Sequence, residues 1–197
     1  MKVSEKKRLQ IINTAERLFA LQGVAATSMD QVAAEAEVSK RTVYNHFATK
    51  TVLFQAVMTE MFYKIEQGAE VVFDPMRDIS AQLTEIANQE VQLLTSDEFL
   101  KIAKIAFLQL LQDSELAQSL SNAQFGCLRY FERFLASATE QGVLRVTDFE
   151  LAAKQFVYQL KSLIFYPALY GFEQITKAQQ AYYIEETVKL FVARYGN

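Results

Sequence analysis

Apolar residues recur at spacings of three and four along almost the whole 197-residue chain, and runs of period two are nearly absent. Such spacing lays a continuous apolar stripe on a helix and cannot give a strand a dry face, so the chain is expected to be all-α. Capping residues and breakers divide it into about nine helices. The first runs from about Ser4 to Leu21 and stops at Gly23, and Ser28 caps a short second helix from Met29 to about Ala36. Ser39 caps a third, from Lys40 to about Phe47, and Thr49 a fourth that continues to about Glu66. After the break at Asp74-Pro75, helices are expected over Ile79 to Thr95, Glu98 to Leu111, Ser114 to Gln141, Asp148 to Tyr170 and Thr176 to Tyr195.

Composition then removes function classes. The chain has one His (His46) and one Cys (Cys127), so a Ser-His-Asp triad, a Cys-His pair or a multi-histidine zinc site would have to draw on these two residues alone. Neither an enzyme, nor a metal, nor any other cofactor is expected. The adjacent carboxylates Glu185 and Glu186 diverge on a helix and make a poor acid/base pair. Cys127 cannot form an intramolecular disulfide, and the charged start of the chain lacks a signal-peptide core, which fits a reducing cytoplasm. The stretch from Leu163 to Phe172 is well short of the roughly 20 residues that a membrane span needs.

Charge and aromatic content change together after Lys50. The first fifty residues carry eight Lys and Arg against five Asp and Glu, and the remainder twelve against eighteen. Of 24 Phe and Tyr, only Phe19, Tyr44 and Phe47 precede residue 51. A small basic head over residues 1–50 and a larger acidic, aromatic-rich body over 51–197 are expected, with the head meeting a polyanion.

Within the head, two short helices are separated by Glu37-Val38, which leaves room only for a tight turn, the spacing of a helix-turn-helix. The helical period puts Val43 and Phe47 in the core with Val32, Ala33 and Ala36, and turns Arg41, Thr42, Asn45 and His46 outward, with Lys40 on the exposed first turn. Arg and Lys donate to guanine, Asn pairs with adenine and Thr meets an acceptor or a thymine methyl. Ser28, Tyr44, His46 and Lys50 are placed for phosphates, and the basic arm from Lys2 to Arg8 is either a further contact or a solvated terminus.

Thr27-Ser28-Met29, Val32-Ala33, Ala36, Val38-Ser39, Thr42-Val43-Tyr44, Phe47, Lys50 and Leu53-Phe54 resemble the DNA-binding signature of the TetR/AcrR transcriptional regulators. The resemblance implies a three-helix DNA-binding domain, a fourth helix as connector, and a helical domain for effector binding and dimerisation. It makes Lys40 to His46 the recognition helix, and Tyr44 and Lys50 phosphate contacts. Two positions depart from the family pattern: Glu37 stands where Gly is usual, and Arg41 replaces a small residue. Glu115-Leu116-Ala117, Gly142-Val143-Leu144-Arg145-Val146, Asp148 and Glu150 to Phe156 resemble the C-terminal domain of AefR-like members.

These features imply a ligand-responsive regulator, a repressor that binds a palindromic DNA operator as a homodimer and is released by a hydrophobic or aromatic small molecule, with no membrane partner. The alternative is a helical lipid or small-molecule carrier that does not bind an operator. Expected lining residues for the effector are Phe62, Phe107, Phe131, Phe134, Tyr158 and Tyr166, with Lys104, Arg129 or Gln155 as polar anchors. The helix from Asp148 is apolar on more than one face, so it needs cover on two sides. Phe156, Leu160, Leu163, Pro167, Ile184, Val188 and Phe191 are the expected dimer contacts. Cys127 is expected to be a buried apolar residue rather than a redox sensor.

Overall fold

The structure, a computed structural model, describes residues 3–65, 70–112, 114, 117–118, 127–172 and 175–197, the side chains at 62, 64 and 65 excepted. Among these residues the regular structure is helical, apart from one isolated bridge between Leu144 and Gly196. The chain divides into two compact units: Met1–Lys64 with Lys101–Ala123, and Ile65–Leu100 with Gln124–Asn197.

The first unit holds α1 (Val3–Gln22), α2 (Met29–Glu35), α3 (Lys40–His46), α4 (Lys50–Ile65) and all but the first turn of α6 (Asp97–Gln112). Ile11, Ile12, Ala15, Leu18 and Phe19 of α1 form the expected buried stripe. Val32, Ala33, Ala36, Val43, Phe47, Leu53 and Phe54 are also buried, and the Phe19 and Phe54 rings meet at 5.9 Å.

The second unit contains α5 (Ile79–Leu94), α7 (Leu128–Glu140), α8 (Phe149–Leu160), a π-helical turn (Lys161–Phe165), α9 (Tyr166–Tyr170) and α10 (Lys177–Tyr195). Of the expected helix from Ser114 to Gln141, much of the N-terminal half lies outside the described residues. α5 packs against α10 and α8, and α7 against α8. Phe131 sits at the centre, fully buried, with the rings of Phe156, Phe134 and Phe191 at 5.0, 5.8 and 6.0 Å. The buried carboxamide of Gln82 holds the loop before α5: it accepts the Asp74 amide at 2.8 Å and donates to the Asp74 and Arg77 carbonyls.

The expected single helix from Asp148 to Tyr170 is interrupted by the π-helical turn. Pro167 has no N–H to give the carbonyl four residues back, and a wider turn just before it re-routes the ladder. The turn also advances the apolar register by one residue: Ile164 and Phe165 enter the core, while Leu163 and Pro167 are only partly buried.

Candidate nucleic-acid interface

α2 and α3 are held by matched devices. The side chain of Ser28 accepts the Gln31 amide and that of Ser39 the Thr42 amide, each at 3.1 Å, so both seven-residue helices are capped where they are weakest. Between them, Glu37 has φ of +51°. Its amide bonds the Ala34 carbonyl at 3.2 Å, and the Val38 amide bonds that of Ala33 at 3.1 Å. This is the paired hydrogen-bond pattern of a Schellman C-cap, which puts a left-handed residue at that place. α1 braces the end of α2, through a Gln10 bond to the Ala36 carbonyl at 2.8 Å and an Arg17–Glu35 ion pair that holds the Glu35 carboxyl below its ordinary range.

Arg41, Tyr44 and Asn45 are exposed on α3, and Val43 and Phe47 are buried. Thr42 and His46, expected to face fully outward, are half-buried. The Thr42 hydroxyl is 2.8 Å from that of Ser39, and the His46 ring lies 6.2 Å from the Phe47 ring. Lys40 is exposed and pairs with Asp30 of α2 at 2.6 Å. The Arg8 guanidinium sits 5.3 Å over the Phe47 ring, which fixes one residue of the basic arm beside α3. Lys50, the first residue of α4, donates to the carbonyls of Val24, Ala25 and Thr27 at 2.8, 3.1 and 3.0 Å.

The residues expected to meet an effector fall in both units. Lys104 and Phe107 lie in the first unit, and the Phe62 side chain lies outside the described residues. Phe131 and Phe134 are packed in the core of the second unit, Tyr158 is exposed and Tyr166 half-buried. Arg129 pairs with Glu70 at 3.4 Å, and Gln155 accepts the Tyr195 hydroxyl at 2.6 Å. Five residues expected at a dimer interface, Phe156, Leu160, Ile184, Val188 and Phe191, are at most 5% exposed inside their own unit's core.

The sequence reading missed a buried polar node. Glu90 is 2% exposed and accepts the Cys127 amide at 2.8 Å at the start of α7. Tyr130, one turn on, has a buried hydroxyl without a hydrogen bond of good geometry, although the Val71 backbone faces it. Burial pushes the Cys127 thiol and the Tyr130 phenol above their ordinary ranges, and the nearby Glu90 adds to both shifts. The signal was present in the periodicity: Glu90 falls on the same face of α5 as Leu83, Ile86, Ala87 and Leu94. Between α5 and α10 the second unit also has an open groove of about 590 Å³, with Ser80, Thr84 and Asn88 on one wall and Ile184, Val188 and Val192 on the other.

A model of the bacterial regulatory proteins of the tetR family matches residues 11–57, and one of the AefR-like transcriptional repressor C-terminal domain matches residues 81–197. The chain belongs to the TetR family. The HTH-type transcriptional regulator SrpR of Pseudomonas putida is 28% identical over 144 residues, 73% of this chain and 66% of SrpR. A TetR-family transcriptional regulator from Pseudomonas syringae pv. tomato str. DC3000 superposes with a TM-score of 0.78 at 33% identity over 97% of each chain. The flavonoid-responsive regulator FrrA superposes with a TM-score of 0.84 at 25% identity over 98% of each. This TetR-family chain is therefore a DNA-binding transcriptional regulator and not an enzyme. No described helix is long and apolar enough to cross a membrane.

Proposed function

We propose that this regulator is a cytoplasmic repressor that binds a palindromic operator as a homodimer and is released by a hydrophobic or aromatic small molecule. The observation that carries the operator reading is the exposed side of α3, where Arg41, Tyr44 and Asn45 project from a helix fixed by a side-chain cap and a tight turn. Arg41 and Asn45, with Thr42, read base edges, while Tyr44, His46, Ser28 and Lys40 serve the phosphate backbone. Lys40 exchanges its Asp30 partner for a phosphate on binding.

The effector reading is supported by the aromatic second unit, by its groove, whose volume falls within the ordinary range for small-molecule sites, and by the likeness to FrrA, whose name marks it as responding to a flavonoid. With five of the expected interface residues buried in the core, a second copy would meet exposed large apolar side chains of this unit, among them Leu151, Tyr158, Tyr170, Phe172, Tyr182 and Leu190.

Selection of bound sequences from random duplex DNA tests the operator reading. An enriched inverted repeat with half-sites separated by one helical turn or a multiple, about 34–36 Å, is expected. Unenriched, purely salt-sensitive binding would refute it. Flavonoids and other lipophilic aromatics are then added to the complex on the selected operator, and release at micromolar concentration is the expected result.

A further inference from the structure

The groove between α5 and α10 lies inside the second unit and has walls of opposite character. Its α5 wall is a stripe of uncharged polar side chains, Ser80, Thr84 and Asn88, each four residues from the next and therefore on one face of the helix. The stripe is tied to its own backbone: the Thr84 hydroxyl donates to the Ser80 carbonyl at 2.7 Å, and the Asn88 side-chain amide donates to the Thr84 carbonyl at 2.8 Å. Thr84 has thereby spent its one proton and can only accept, whereas Asn88 keeps its carbonyl oxygen and a second N–H for a ligand. The α10 wall is apolar, formed by Ile184, Val188 and Val192.

The charges on the rim answer one another. Lys189 pairs with Glu185 at 2.6 Å and with Glu186 at 3.0 Å, so the lysine is already engaged by two carboxylates and they by it. A charged ligand would gain no counter-ion here and would give up part of its hydration. What the groove offers is apolar contact along α10 and hydrogen bonds along α5. The polar stripe also sets a length, since eight residues of helix place Ser80 and Asn88 about 12 Å apart along the axis. We infer that the groove is a binding site for an uncharged, elongated aromatic molecule with a polar group at each end, the two about 12 Å apart. Release of the operator on binding rests on the effector reading above; occupation of the groove does not.

A trans-stilbene with a para hydroxyl on each ring has this form and is the probe. Calorimetry on the full chain compares it with unsubstituted stilbene and with the para dicarboxylate and diamidine. The dihydroxy compound should bind at micromolar concentration and at least roughly tenfold tighter than each of the others, the gain from two net hydrogen bonds. Asn88→Leu removes one polar end and should weaken the dihydroxy compound about fivefold. Unsubstituted stilbene should bind that variant as well as the wild type or better, a reversal that loss of structure would not produce. Ala181→Trp fills the groove from α10 and should abolish binding of every stilbene. Both positions are exposed, so neither substitution opens the core, and should Asn88→Leu fail to fold, Ala181→Trp still decides. No binding of the dihydroxy compound to the wild-type protein, tighter binding of a charged stilbene, or unchanged affinity in either variant would overturn the inference. So would an Ala181→Trp variant that sediments as a monomer where the wild type is a dimer, which would assign the groove to a second copy of the chain. Operator release is read separately. Binding with the expected variant pattern but without release would refute the effector reading and leave the site in place, whereas release that neither variant alters would refute the site and leave the effector reading in place.

Discussion

Among the described residues, Glu37 departs most from the conformational preference of its amino acid. Its φ of +51° places a side chain with a Cβ in the left-handed region, which costs about 1–2 kcal/mol for a residue other than glycine. A glycine there would remove the strain but lose roughly 0.5–1 kcal/mol more entropy on folding, so Glu37→Gly should stabilise the protein by about 0.5–1 kcal/mol in urea unfolding. A destabilised variant would mean that the Glu37 side chain contributes more than its backbone loses. Cys127 gives a second residue-scale expectation. Its thiol is pushed up in the folded state by burial and by the nearby Glu90, so above about pH 8.5 the unfolded chain ionises first. The native state then holds the extra proton, and stability falls as pH rises through that range. Cys127→Ala should flatten this alkaline decline in thermal unfolding, and native Cys127 should resist thiol reagents at neutral pH until the chain is unfolded. Reaction of the folded protein at the rate of a free thiol would refute both.

Among the elements, α3 depends most on its cap, because in a seven-residue helix the orphan backbone groups of the first and last turns are most of the backbone. Ser39→Ala is expected to cost about 1 kcal/mol of stability and, by releasing the Thr42 hydroxyl as well as the Thr42 amide, to weaken operator binding more than random-DNA binding. Unchanged operator affinity would mean that packing of Val43 and Phe47 alone fixes the helix. The sequence showed these helices well, because Ser28, Ser39, Thr49, Asp148 and Thr176 each mark a start by a local hydrogen bond that a sequence pattern can carry. It failed where the cause is not local. Periodicity does not reveal the π-helical turn before Pro167, which shifts the register and leaves Leu163 only partly buried. The three carbonyls that receive Lys50 lie 23 to 26 positions away and are backbone groups, which residue identity does not encode. A likeness of motif suggests a phosphate partner for Lys50, and without DNA its ammonium rests on these three carbonyls.

At the scale of the whole molecule, one head offers a single short recognition helix, and useful specificity comes from two of them held at a fixed spacing. Neighbouring residues on α10 allow the required association to be tested apart from folding. Phe191 is 5% exposed and packs against Phe131, Phe156 and Tyr195, whereas Leu190 beside it is 57% exposed, as Tyr158 on α8 is 49%. Phe191→Ala should therefore cost about 3–5 kcal/mol of monomer stability, as a cavity in an aromatic core does. Leu190→Glu combined with Tyr158→Glu changes two exposed side chains and should leave the helical content unchanged, but it places charges where we propose that a second copy docks. In analytical ultracentrifugation that variant is expected to sediment as a monomer of about half the wild-type mass. Its operator affinity should fall by at least tenfold, and its affinity for random DNA should fall much less, since phosphate contacts act within each head. If the double variant remained dimeric with full operator affinity, association would use another surface. The exposed aromatic residues of α8 to α10 would then need a different partner.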